Sequence, residues 1–175
     1  MKIRRMSLIA VLAAVISVSG MLKIPSPIPG GEFQMSAPIA VTIAMLFGFK
    51  IYITAGIISS IASLMIGTAT FYSVIIAMTF RVVVGLVIYL AGVNKLSMIV
   101  SGPLGTFTAR IVLHFITKNP FIPLVLGAVP GMIFTMITSG IIYKQVYKVL
   151  IHTNFKEFII NEDCKKDVEL TDYEI

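Results

Sequence analysis

The chain has 175 residues, 57% of them hydrophobic and 13% charged, with a mean hydropathy of +0.97; a soluble domain cannot hide that much apolar surface in one core, so the composition reads as an integral membrane protein. The formal net charge of +6 is unevenly spread: residues 1–155 carry eleven Lys/Arg against the single acid Glu32, whereas residues 156–175 carry three Lys against seven acids. No soluble stretch interleaves aromatic with basic residues, which sets nucleic-acid binding aside.

A membrane-spanning helix needs about 20 apolar residues, and six runs approach that length. The first, residues 6–22, follows the basic cluster Lys2, Arg4 and Arg5. A basic start, a short apolar run and the small residues Ser17, Ser19 and Gly20 also fit a secretory signal. Because the remainder is itself polytopic and needs no removable signal, the run reads as a retained span. Residues 23–34 place Pro25, Pro27 and Pro29 before Gly30, Gly31 and Glu32. Those prolines fix φ and remove donors, which predicts a stiff extended outer loop. Short spans follow at 35–49 and 51–67, with Gly48 and Lys50 marking a tight reversal. The fourth span, 70–92, is interrupted only by Arg81; the fifth, 96–116, contains Arg110 and His114; the sixth is 121–143. Residues 1–150 thus form one membrane domain. The acidic tail, 151–175, has too little apolar periodicity to fold alone and reads as solvated. Its Cys164, the only cysteine, reads as a free cytosolic thiol.

With the N-terminus inside, the cytoplasmic segments hold Lys2, Arg4, Arg5, Lys50, Lys95, Lys144 and Lys148, while the outer loops hold only Lys23 and Lys118. That positive-inside bias predicts both termini in the cytoplasm. The expected fold class is therefore all-α, an integral membrane six-helix bundle. Small residues recur every four positions: Ala55, Ser59, Ser63 and Gly67; Ser97, Ser101, Gly105 and Ala109; Gly127, Gly131, Thr135 and Ser139. Each row lies on one helical face and reads as a packing seam, since helices in lipid associate by close contact.

The intramembrane cations stand out because no acid occurs between Phe33 and Phe155. Arg81 shares a stripe with Ser73, Ala77, Gly85 and Tyr89, so it should point into the bundle, about 16 Å deep. An arginine at that depth costs about 2.5–3.5 kcal/mol on insertion scales and calls for a partner. Glu32 folded in from the outer loop, span carbonyls and a ligand carboxylate are the candidates. Arg110 lies about 9 Å from the outer end of its span, on a polar row with Thr106 and His114. A guanidinium fork matches carboxylate geometry, so this row reads as a pocket for a planar or anionic solute; snorkelling to lipid phosphates is the alternative. Without intramembrane carboxylates there is no acid–base machinery, proton relay or hard-metal site within the spans. No GxxxxGK[ST], CxxC or HExxH motif occurs either.

Six spans in a chain of this size, cytoplasmic termini, a long outer loop after the first span and the pattern Ala10-Val-Leu-Ala-Ala14 resemble the S component of an energy-coupling factor (ECF) transporter of the vitamin-uptake type. The resemblance covers residues 1 to about 150. It implies a multi-pass subunit of a bacterial or archaeal cell membrane that is no enzyme and holds no cofactor. Its solute would bind near the outer face, contacted by Arg110, His114, Thr106 and Arg81, with Glu32 and Gln34 of the loop sequence GGEFQ nearby and the Pro-rich loop as lid. A transmembrane coupling subunit would dock on the first helix at Ala10 and Ala14, with Ala13 and Ser17 a parallel small face. A pair of ATPases would supply the energy from ATP, and the chain would deliver its solute by toppling in the membrane. Two other readings stay open: a membrane scaffold of the rod-shape type, which predicts no small-molecule pocket, and a stand-alone small-solute carrier.

Overall fold

The computed structural model describes residues 2–25, 32–151 and 156–159. In chain order these form α1 (Lys2–Met21), β1 (Lys23–Pro25), β2 (Glu32–Gln34), α2 (Ser36–Met65), α3 (Phe71–Ala91), α4 (Lys95–Thr117), α5 (Phe121–Ile151) and a single 3-10 turn, Lys156–Phe158. The architecture is helical, and all five helices are long and apolar enough to cross a bilayer.

The second and third expected spans, 35–49 and 51–67, are one element here. Gly48 interrupts α2 with φ 74° and ψ 175°, a conformation open to glycine because it carries no Cβ. Two helical arms, residues 36–47 and 49–65, thus meet at Gly48, the position where the sequence places the reversal. The second arm runs antiparallel to α3: Gly85 lies against the Phe49 ring, Gly56 against Arg81, and Ser60 against Met78. The first arm is the centre of the bundle. Every residue from Ala40 to Phe47 is buried, as a helix apolar on all sides must be, and α2 packs on all four other helices.

Two further expectations change. The last helix runs past 143 to Ile151; its 31 residues measure about 46 Å, longer than a hydrocarbon core of ~30 Å, so the turns with Lys144 and Lys148 can project beyond it. The loop after α1 is closed at its base by an antiparallel hairpin that pairs Lys23 with Gln34, Ile24 with Phe33 and Pro25 with Glu32, and β2 lies against α5 and α1. Pro27, Pro29, Gly30 and Gly31 lie outside the described residues, as does the tail beyond Ile159, Cys164 included.

The small-residue rows pack as their spacing suggests where a neighbouring helix covers them. Ser97, Ser101, Gly105 and Ala109 are all buried in α4, and Thr135 and Ser139 in α5. A Cβ on Gly102 would stand 2.6 Å from the Thr135 methyl, so α4 and α5 approach as closely as a glycine allows. Thr42 ties the central arm to α5, its hydroxyl lying 3.0 Å from the Pro38 carbonyl oxygen and 3.5 Å from that of Ser139. At the start of α3, Thr70 and Ser73 form a reciprocal capping box, which satisfies two of the helix's orphan donors. Ser73 thus caps the helix, and Tyr89 is exposed, so only the middle of the Arg81 stripe faces inward.

Candidate functional site

The two intramembrane arginines occupy opposite situations. Arg81 is 7% exposed and lies across the second arm of α2. Its Nη1 donates to the Gly56 carbonyl oxygen at 2.8 Å and to the Ser60 hydroxyl, with the Met78 sulfur at 3.5 Å. A Cβ on Gly56 would fall 2.6 Å from the Arg81 Cδ, so the side chain fits because position 56 is bare. Tyr52, Gly56 and Ser60 recur at four-residue spacing and form one face of α2, all three buried. Of the partners weighed for Arg81, the span carbonyl is present among the described residues, and the Ser60 hydroxyl, which was not among those weighed, joins it. The solute contact expected of Arg81 is not needed to satisfy Nη1.

Arg110 is half-buried on α4 and has no hydrogen-bond or ion-pair partner among the described residues. Phe107 and His114 lie three residues before it and four after, on the same side of the helix. Both rings meet Phe121 at the start of α5, with centroid separations of 6.0 Å for Phe107 and 5.8 Å for His114. Arg110 thus shares a helix face with two rings of an aromatic corner where α4 and α5 adjoin.

The two polar neighbours are partly committed. Thr106 donates its hydroxyl hydrogen to the Gly102 carbonyl oxygen at 3.0 Å, which leaves the oxygen as an acceptor. His114 Nδ1 lies 2.6 Å from the Asn119 carbonyl oxygen, a contact that requires the proton on Nδ1. A neutral ring then offers Nε2 as an acceptor. This corner is fixed by the end of α4, where Lys118 adopts φ 55° and its N–H caps the His114 carbonyl oxygen at 2.8 Å. Only the Arg110 fork, therefore, presents uncommitted donors; Thr106 and His114 present acceptors.

Glu32 and Gln34 are placed by their backbone in β2, against α5 and α1; their side chains lie outside the described part of the structure. On α1, Ala10 and Ala14 are exposed. Ala13 is not part of that face: it is 4% exposed and packs in the core with Leu12 and Ile16. Ser17 also turns inward, donating to the Ser59 hydroxyl at 2.9 Å.

Phe107 and Phe121, which frame Arg110, were not singled out from the sequence. The signal was present for Phe107, which precedes Arg110 by three positions, and absent for Phe121, which depends on how α5 meets α4. The Tyr52, Gly56, Ser60 face was legible as spacing, but its role as the bed of Arg81 was not. Among the described residues, the buried hydroxyls of Tyr52 and Ser101 have no hydrogen-bond partner.

No family model matches the chain. Protein BioX of Lysinibacillus sphaericus is 47% identical to it over 141 residues, a match covering 81% of this chain and 85% of that protein. The fold is similar to that of the S component for biotin from an ECF-type ABC transporter, known from a crystal structure at 2.1 Å, with a TM-score of 0.61 and 16% sequence identity over 84% of this chain and 92% of that one.

Proposed function

The chain belongs to the family of Protein BioX and has the fold of an ECF-type S component, and from that premise we propose that it is the substrate-binding subunit of an ATP-driven importer for a carboxylate-bearing vitamin or vitamin precursor. The observation that carries the solute assignment is Arg110: a half-buried guanidinium on a membrane helix, without a partner among the described residues. A carboxylate would satisfy its fork with two parallel charge-assisted hydrogen bonds. The flanking rings of Phe107, His114 and Phe121 suit the apolar body of such a solute, and Thr106 and His114 Nε2 suit a donor on it. The hairpin of residues 23–34, with Glu32 and Gln34 in its second strand, serves as the lid.

On this reading α2 makes two crossings. Its first arm, residues 36–47, covers only about 18 Å and begins within the membrane, with the hairpin completing the path to the outer surface. Six crossings put both ends of the membrane domain on the same side, and the positive-inside bias makes that side the cytoplasm of a bacterial or archaeal cell. The chain is not an enzyme and needs no cofactor of its own. A coupling subunit docks on the exposed face with Ala10 and Ala14, where the absence of bulk permits close helix contact, and its paired ATPases hydrolyse ATP.

The test is mass spectrometry of small molecules that co-purify with the detergent-solubilised chain, with biotin and its neutral amide as comparison probes in titration calorimetry. A small carboxylic acid should be enriched with the parent chain and lost with Arg110→Ala. Enrichment of a neutral or cationic compound that Arg110→Ala retains would overturn the assignment.

A further inference from the structure

The proposed function leaves the C-terminal segment without a role, yet the start of that segment is not detached from the bundle. Beyond α5, Lys156–Phe158 form a 3-10 turn, and the Glu157 carboxylate lies 3.8 Å from the Arg4 guanidinium of α1. Two residues on, Ile159 is 3% exposed and belongs to the apolar core cluster of the bundle, which also holds Leu8 and Leu12 of α1, the central arm of α2 and Leu150 of α5, with Tyr147 and Phe158 packed against the cluster. Residues 157–159 of the tail that composition reads as solvated therefore lie against the bundle.

Of the two contacts, the buried isoleucine is the stronger hold. The Arg4 and Glu157 side chains are 65% and 39% exposed, and an ion pair so open to water contributes little, whereas full burial of an isoleucine is a substantial term. The first helix needs such a hold. It packs along α2 and touches β2, and the Ser17–Ser59 hydrogen bond fastens its C-terminal third. At the other end, Ile3, Arg4, Arg5, Met6 and Ser7 are all exposed, so no described side chain on α1 before Leu8 anchors it by burial. Arg4, Ser7, Val11 and Ala14 follow the spacing of one helical stripe, which brings Glu157 to the edge of the face that carries Ala14.

We propose that Lys156–Ile159 is a strap, anchored by Ile159 and guided by Glu157, that holds the N-terminal half of α1 against the bundle and so presents the Ala10–Ala14 face as a fixed docking surface. The docking part rests on the S-component reading; the strap itself does not. A pre-positioned helix loses less conformational freedom on association than a loose one, which favours the complex.

Hydrogen exchange with mass spectrometry on the full-length chain in nanodiscs tests the strap directly. Ile159→Asp should accelerate amide exchange across residues 2–12 by about tenfold or more and leave α4 unchanged, with Ile159→Ala as the milder variant should the aspartate fail to fold. Glu157→Lys should change the same rates by less than about threefold, because the exposed pair contributes little. In parallel, capture by the coupling subunit with its two ATPases should weaken by about tenfold for the Ile159 variants. Unchanged exchange across residues 2–12 in both Ile159 variants would overturn the strap, and faster exchange with undiminished capture would overturn its positioning role. Failure of the S-component reading looks different: the parent chain would not be captured at all, and the exchange rates alone would then decide the strap.

Discussion

Arg81 and Arg110 are the same residue on adjacent helices, and the fold treats them differently. Arg81 is laid across Gly56 and donates to a carbonyl and a hydroxyl of α2; Arg110, one helix later, is half-buried on the helix face that carries Phe107 and His114, with no described partner. Both have lost water, but only one has had it replaced by protein. Burial of a cation alone therefore does not mark a ligand site. What separates a packing arginine from a binding one is whether neighbouring backbone and side chains already meet its N–H groups.

The comparison breaks most decisively at Arg110. Arg110→Ala should weaken solute binding by about 100-fold, which corresponds to about 2.8 kcal/mol, with little change in thermal unfolding. Arg110→Lys keeps the charge but loses the planar fork and should fall between, at about tenfold. Titration calorimetry with the co-purified solute measures both, and parent-like affinity of Arg110→Ala would move the pocket elsewhere.

At Arg81 the expected signature is the reverse. Arg81→Ala should cost about 2 kcal/mol of stability, through lost packing across Gly56 and lost charge-assisted hydrogen bonds, while affinity stays within about twofold. Arg81→Met, which keeps the volume without the buried charge, should remain within about 1 kcal/mol of the parent. Denaturation in mixed micelles reads both, and an affinity loss in Arg81→Met with intact stability would return Arg81 to the solute site.

Gly56→Ala sharpens the same point from the other side of the seam. The added methyl would meet Arg81 Cδ at 2.6 Å and should cost about 1–2 kcal/mol by overpacking, again without affecting binding. The smallest effect is expected at Ser17→Ala, which removes the single hydroxyl bridge to Ser59. Hydrogen bonds between membrane helices average about 0.6 kcal/mol, so only a slight fall in unfolding midpoint should be seen. A loss comparable to that of Arg81→Ala would mean that α1 depends on this one contact.

The Ala10–Ala14 stripe and its neighbour Ala13 show where local pattern stops being informative. All three are small and lie within one turn and a half, and nothing in their spacing says which side faces lipid. The surrounding branched aliphatic residues tip the balance: Leu8, Leu12 and Ile16 are buried with Ala13, leaving Ala10 and Ala14 outside. Ile159 is the more extreme case. It sits in the short apolar run Phe158, Ile159, Ile160 ahead of a run of charges, too short to carry a periodic signal that would mark one of the three as buried.

Hydropathy by itself determined that the chain is a helical membrane protein, where nearly every apolar segment begins, and which polar residues are anomalous within them, because the cost of exposing backbone and charge to lipid acts on each segment separately. The glycine at position 48 also announced its break in α2, since a turn there requires a backbone that other residues reach only at a cost. The tertiary structure alone decided which anomalies had partners. Arg81 is satisfied because its helix presents it to the bare face at Gly56 and Ser60, and Arg110 is left open because no described group opposite it on the neighbouring elements meets its fork. Those outcomes depend on which helix faces meet, and such long-range pairings are set by close packing across the whole bundle and not by the order of residues along one helix.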